Sequence, residues 1–218
     1  MNKKDKTAED ILKLDPEKLT EEEKKDVIKT MGEYLVDDEE FNALLREEFE
    51  TVSKGFDGAR ESFMPQIHIQ GMKGEDGKRK HTLIMIAGEL NTENKPKMMM
   101  GMGAKFAEDG AHLPAIVFMS NEAWTSKPST DEKNPLAPSK DPNREEAIVI
   151  AGMTFDGRVN MAVASIKRSK KNAIILTKEY YIDYEHDKND MQNNLLAYFM
   201  QGYAMGMATG SKKMKEKN

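Results

Sequence analysis

Charged residues in and beside one long loop carry the first chemical suggestion in this chain. Glu122 stands before the loop, Asp141, Arg144, Glu145 and Glu146 stand at its far end, and the single tryptophan, Trp124, is close to the first of them. Paired carboxylates suit acid–base work, and several together suit a hard divalent cation. Glu122, Asp141, Glu145 and Glu146 are therefore candidate catalytic residues, on one condition. The strand that ends near Glu122 and the strand that begins at Glu145 must be neighbours in a sheet. The plainer alternative is a pair of solvated strand ends, with Arg144 paired to Glu122, and it carries more weight. Trp124 either closes the core or stands at a binding surface, where Trp is enriched; the core role is the stronger expectation.

A second group is basic. Lys167, Arg168, Lys170 and Lys171 form a turn, and Tyr180, Tyr181 and Tyr184 follow on the next strand. Charge plus stacking could contact single-stranded nucleic acid there. A solvated turn is the better reading, and Trp124, Arg144, Lys167 and Arg168 are retained as candidate binding residues. The four histidines, His68, His81, His112 and His186, are far apart in sequence, although His68 and His81 flank one hairpin and could face each other. No HxH or HExxH spacing occurs, so no metal site is expected. Gly101 and Gly103 fit neither a P-loop nor a dinucleotide fingerprint, and close helix–sheet packing is expected to explain them. Ser120 and Ser165 lack a nucleophile-elbow context. No cofactor is expected.

The composition narrows the classes further. The chain has 218 residues, no Cys and 17 Met. Disulfides, thiol nucleophiles and Cys-ligated zinc are thereby excluded. Met is expected mainly as adaptable core filling. Residues 1–64 carry 19 acidic against 11 basic side chains, whereas the remainder carries 19 against 22. Net acidity argues against extensive phosphate-backbone binding, which needs clustered cations. No apolar run approaches the roughly 20 residues of a membrane span. The N-terminus turns acidic at once without an apolar signal region, so a cytoplasmic location is expected, with no membrane partner.

The elements that must position these residues are legible as patterns. A short helix is expected at 8–14. Thr20 and Glu23 form a capping box ahead of an apolar stripe, Val27, Ile28, Met31, Tyr34 and Leu35. A third helix is expected over 38–54 on Phe41, Leu44, Leu45, Phe49 and Val52. Alternation predicts a hairpin across 66–90, and MMMGMGAKFAEDG predicts a helix stopped by Gly110. A near-continuous apolar strand, LPAIVFMSNEAW, is expected at the sheet centre. The 125–143 loop, with four prolines, is long enough to suggest a lid, an arm onto a partner or, equally, a flexible surface excursion. A hairpin turning at Asp156-Gly157, a strand and a last helix over 190–209 complete the order. Hairpins with helices grouped before, between and after them predict an α+β fold. Its sheet is expected to be mixed or antiparallel, with about six strands. An acidic helical arm or subdomain at 1–64, a core at 65–210 and a basic tail at 211–218 are the expected divisions.

The Ser120–Trp124 run, the Pro-bearing loop, Asp141–Glu146 and the Asp156-Gly157-Arg158 turn together resemble uncharacterised proteins of phages and bacterial mobile elements. The resemblance spans about a quarter of the chain. It implies a phage or mobile-element origin and no particular chemistry.

The leading functional expectation is a non-enzymatic interaction protein with a macromolecular, most often protein, partner. One alternative is a cation-dependent hydrolase using the clustered carboxylates. Another is an assembly component whose last helix buries its stripe in a homo-oligomer.

Overall fold

The computed structural model describes residues 19–56, 64–86, 94–110, 112–125, 142, 144–168, 174–183 and 195–215. For residues 33, 34, 124, 125, 168, 174–183 and 210–215 it describes the backbone alone. The helix expected at 8–14, most of the 125–143 loop and Asp141 lie outside the described residues, as do the side chains of Trp124, Arg168, Tyr180 and Tyr181.

The chain forms helix α1 (Glu21–Leu35), helix α2 (Asp38–Phe56), strands β1 (Gln66–Lys73) and β2 (Arg79–Met85), helix α3 (Lys95–Glu108), strands β3 (Pro114–Thr125), β4 (Glu145–Thr154), β5 (Val159–Arg168) and β6 (Ile174–Asp183), and helix α4 (Leu195–Lys215). The fold is α+β, with a six-stranded sheet in the order β2-β1-β3-β4-β5-β6. Every neighbouring pair is antiparallel. The path is a meander except at one step, where α3 carries the chain from β2 across β1 to β3.

Local chemistry explains the element ends. The Thr20 amide donates to Glu23 Oε2 at 2.9 Å and the Glu23 amide donates to Thr20 Oγ1 at 3.2 Å, the reciprocal pair of a capping box. Asp37 Oδ1 accepts from the Glu40 amide at 2.8 Å and so starts α2. The β4–β5 turn places Gly157 at a φ of 90°, a conformation that costs any residue with a Cβ.

Two apolar layers cover the sheet. On one face, Phe41, Leu45, Phe49 and Val52 of α2 pack on Ile116, Phe118, Ile148, Ile150, Ala162 and Ala164. On the other, Met99 and Phe106 of α3 and Leu196, Phe199 and Tyr203 of α4 pack on Ile67, Ile69, Val117, Met119 and Met153. Successive side chains of β3 alternate between these layers, which is why its apolar run is continuous: both faces of the strand are dry. The acidic N-terminal third is divided in its behaviour. Helix α2 belongs to the same core as the sheet, whereas α1 buries mainly its C-terminal end at Leu35 and leaves Ile28 exposed.

Two expectations are corrected. Gly103 does not serve helix–sheet packing. It lies against the backbone of α4 at Phe199 and Tyr203, while Gly101 faces open space. The last helix also runs on to Lys215, into the stretch expected as a tail. Methionine divides between roles: Met99, Met119 and Met153 are core, but Met64, Met72, Met85, Met205 and Met207 are exposed.

Candidate functional site

Strands β3 and β4 are neighbours, so the two ends of the long loop do meet. Trp124 pairs across the ladder with Glu146, Thr125 with Glu145, and Glu122 with Ile148. Alternation then divides the carboxylates. Glu122 and Glu146 share the α2 side of the sheet, on a diagonal, while Glu145 is on the opposite side, where its Oε2 accepts from Ser165 Oγ at 3.3 Å. Arg144 immediately precedes β4, and Lys167 is exposed near the end of β5. Among the described residues no three His, Asp or Glu side chains are placed to hold a metal ion.

A different constellation has the tighter geometry. It is built by the outer hairpin and α2. In the ladder His81 of β2 is the partner of Gln70, one step along the same face from His68 of β1. Antiparallel strands bring such diagonal side chains within reach of each other. His68 Nε2 lies 2.9 Å from His81 Nδ1. The ring centroids are 5.1 Å apart with 28° between planes. That separation fits rings meeting nitrogen to nitrogen nearly in plane, and it is too long for face-to-face contact. His68 Nδ1 in turn lies 2.6 Å from Glu48 Oε2, a carboxylate on α2 that is 6% exposed. Phe118 lies beside His68, with ring centroids 6.3 Å apart. The result is a chain of three polar side chains leading from a dry carboxylate to an exposed imidazole.

The surroundings hold this chain in place. Arg79, almost wholly buried, donates to the Leu35 carbonyl at 2.7 Å and the Gly71 carbonyl at 2.8 Å, and pairs with Glu40 at 2.9 Å. Lys73 reaches the same Glu40 oxygen at 2.8 Å. Burial alone would raise the Glu40 pKa, but hydrogen bonds from Lys73 and Arg79 outweigh it and hold the carboxyl below the usual range. Gln70, 4% exposed, has an Oε1 with no hydrogen-bond partner among the described residues. His81 is pushed below the ordinary histidine value, first by burial and then by the charge of His68. On the other side of the hairpin His112 packs over Gly71 and edge-on to Phe106 at 5.5 Å.

The pairing of His68 with His81 was foreseeable from the hairpin. Glu48 was missed, yet it left a signal. It lies three residues after Leu45 and four before Val52, inside the apolar stripe of α2, where an unpartnered carboxylate would be costly.

The outer hairpin has a second property. Leu83 and Met85 follow His81 at alternate positions of β2, so all three share the α2 side of the sheet. They are 56% and 50% exposed. Met64, just before β1, is exposed as well. Among the described residues β2 has no strand on its outer side.

Compared with protein-family models, with curated proteins and with solved structures, the chain matches none.

Proposed function

We propose that this protein is an interaction module that takes an extended segment of a protein partner along β2. The observation that carries this reading is the exposure of Leu83 and Met85 on β2, an edge strand of the sheet. A strand edge offers unpaired backbone donors and acceptors, and proteins ordinarily blunt such edges with charge, proline or a covering element. Here the exposed lysines stand just before the strand, at Lys78, and at its start, at Lys80, and the far end presents apolar side chains. Strand addition supplies backbone hydrogen bonds for affinity, while alternate side chains supply specificity. The partner segment matching this edge alternates apolar residues and carries acidic residues where it passes Lys78 and Lys80.

The test is selection of displayed random peptides on the whole chain, followed by binding measurements on the Leu83→Lys, Met85→Lys double variant. Peptides with alternating apolar and acidic residues are expected to bind the native chain and to lose the variant. Failure to enrich any peptide, or equal binding to the double variant, would overturn the reading. So would native chains that self-associate and become monomeric in the double variant, because the occupant would then be a second copy.

The hydrolase alternative has less support from the geometry, since Glu145 stands on the face opposite to Glu122 and Glu146. Strict loss of a cation-stimulated hydrolytic activity in both Glu122→Gln and Glu146→Gln would restore it.

A further inference from the structure

We infer that Glu48, His68 and His81 form a proton relay, in which one proton taken up at His81 Nε2 is delivered to the His68–Glu48 pair behind it by inversion of the His81 tautomer. Three observations carry this. Glu48 is 6% exposed and 2.6 Å from His68 Nδ1. His68 Nε2 and His81 Nδ1 are 2.9 Å apart, with the rings 28° from coplanar. His81 itself is exposed and Glu48 is not, so of the two ends of the chain His81 is the one that meets solvent.

The hydrogen-bond inventory fixes what each state must look like. A neutral imidazole has one N–H and one lone pair. With Glu48 ionised, its oxygen accepts, so His68 Nδ1 donates and His68 Nε2 keeps its lone pair. The 2.9 Å contact then requires His81 Nδ1 to be the donor, which leaves the lone pair on His81 Nε2, the ring nitrogen outside that contact. This is the state with fewer protons. An incoming proton forms the His81 Nε2–H bond. The His81 Nδ1–H bond breaks, and that proton forms the His68 Nε2–H bond. His81 ends neutral with its tautomer reversed, and His68 carries the charge beside the Glu48 carboxylate. Transfer of the inner proton from His68 Nδ1 to Glu48 changes nothing further out. The balance is one proton in, one N–H bond broken and two formed.

The same geometry limits the relay to one proton. Two imidazolium rings would point two N–H groups at each other across 2.9 Å, so a second uptake must break the His68–His81 contact. The lowered proton affinity of His81 has the same sign, and its causes are burial and then the His68 charge. The other charged groups facing His81 are Glu47 and Glu48 on α2, which favour its protonation, and Arg79 on β2, which opposes it. From β3 the Phe118 ring approaches His68. Lys80 alternates to the other face of the hairpin and His112 packs there against Phe106, and the charges of His81 and His112 oppose each other. A buried carboxylate that orients one imidazole is the logic of hydrolytic triads, with a second imidazole here in the place of the hydroxyl. The ligand of this site is a proton, exchanged with whatever acid or base reaches His81.

The test is long-range proton–nitrogen correlation on the whole chain labelled in histidine, followed through a pH titration. On acidification the two His81 nitrogens are expected to move in opposite directions, Nδ1 losing and Nε2 gaining pyrrole character, while His68 gains its second N–H in the same step. Glu48→Gln removes the carboxylate that attracts the charge and should abolish the inversion. His68→Asn should abolish it too, and serves if the first variant folds poorly. Independent titration of His68 and His81, each becoming imidazolium without the opposed shifts, would overturn the inference. An inversion that persists in either variant would overturn it as well. None of these outcomes depends on whether β2 binds a partner.

Discussion

Gly103 of α3 lies against the carbonyl of Phe199 in α4, backbone on backbone. Gly202 of α4 does the same at the Met100 carbonyl, and a Cβ at either position would collide with main chain. Main chain cannot yield as a side chain tip can, so the helices would have to separate. Gly103→Ala and Gly202→Ala should each lower stability by about 1–3 kcal/mol, the usual range for overpacking. Gly101→Ala, in open space on the same helix, should instead raise it by about 0.5–1 kcal/mol through helix propensity. Urea midpoints of the three variants check this, and equal signs would contradict it.

Arg158 fastens the β4–β5 turn to the link between α1 and α2. It donates to the Val36 carbonyl at 2.5 Å, to Asp38 Oδ1 at 2.5 Å and to Asp156 Oδ2 at 2.9 Å. Arg158→Met should cost roughly 1–2 kcal/mol, less than a fully buried set of charged bonds because Asp38 is exposed. Arg158→Lys should recover little, since one ammonium cannot reproduce the fork. Hydrogen exchange should quicken at the Glu40 and Phe41 amides, which close the first turn of α2, before it quickens in the central strands.

Acid should weaken the fold through His112. Its pKa is held below the ordinary histidine value by burial first and then by Lys80 and His81, against one backbone hydrogen bond at Ile69. The folded protein therefore prefers the neutral ring. The contribution is fully present above the unfolded value, about 6.5, and is lost as pH falls through the lowered folded value. His112→Gln should flatten the dependence of the urea midpoint on pH between 7 and 5, in the range set by that ordinary value. An unchanged slope would assign the acid sensitivity elsewhere.

Phe199 and Leu83 should respond very unequally to truncation. Phe199 is fully buried between α3 and the sheet, and Phe199→Ala should cost about 3–5 kcal/mol. Leu83→Ala should stay within about 0.5 kcal/mol, because the side chain already faces solvent. A large loss at Leu83 would show that something within the chain covers it.

Much of the fold was legible because short-range periodicity reports burial. Phe41, Leu45, Phe49 and Val52 mark α2, and Asp156-Gly157 marks its hairpin turn, since both depend on neighbours within a few positions. The role of Gly103 was not legible. A glycine in a helix records only that something comes close, and α4, some hundred positions further on, supplies it. The site was divided in the same way. Strand order made Glu122 and Glu146 neighbours, as the loop required, but alternation sent Glu145 to the other face.

By itself the sequence determined the order of the described elements, the α+β class and the capping box at Thr20, and it put His68 and His81 on the two strands of one hairpin. Only the tertiary structure decided that α2 lies across β3, β4 and β5, where Glu48 reaches His68 of the neighbouring β1. The reason is physical. Helical period and strand alternation are set by backbone geometry within a few residues. Which helix covers which strands is set by the burial of whole apolar faces, and the residues that meet there are twenty positions apart in the case of Glu48 and His68.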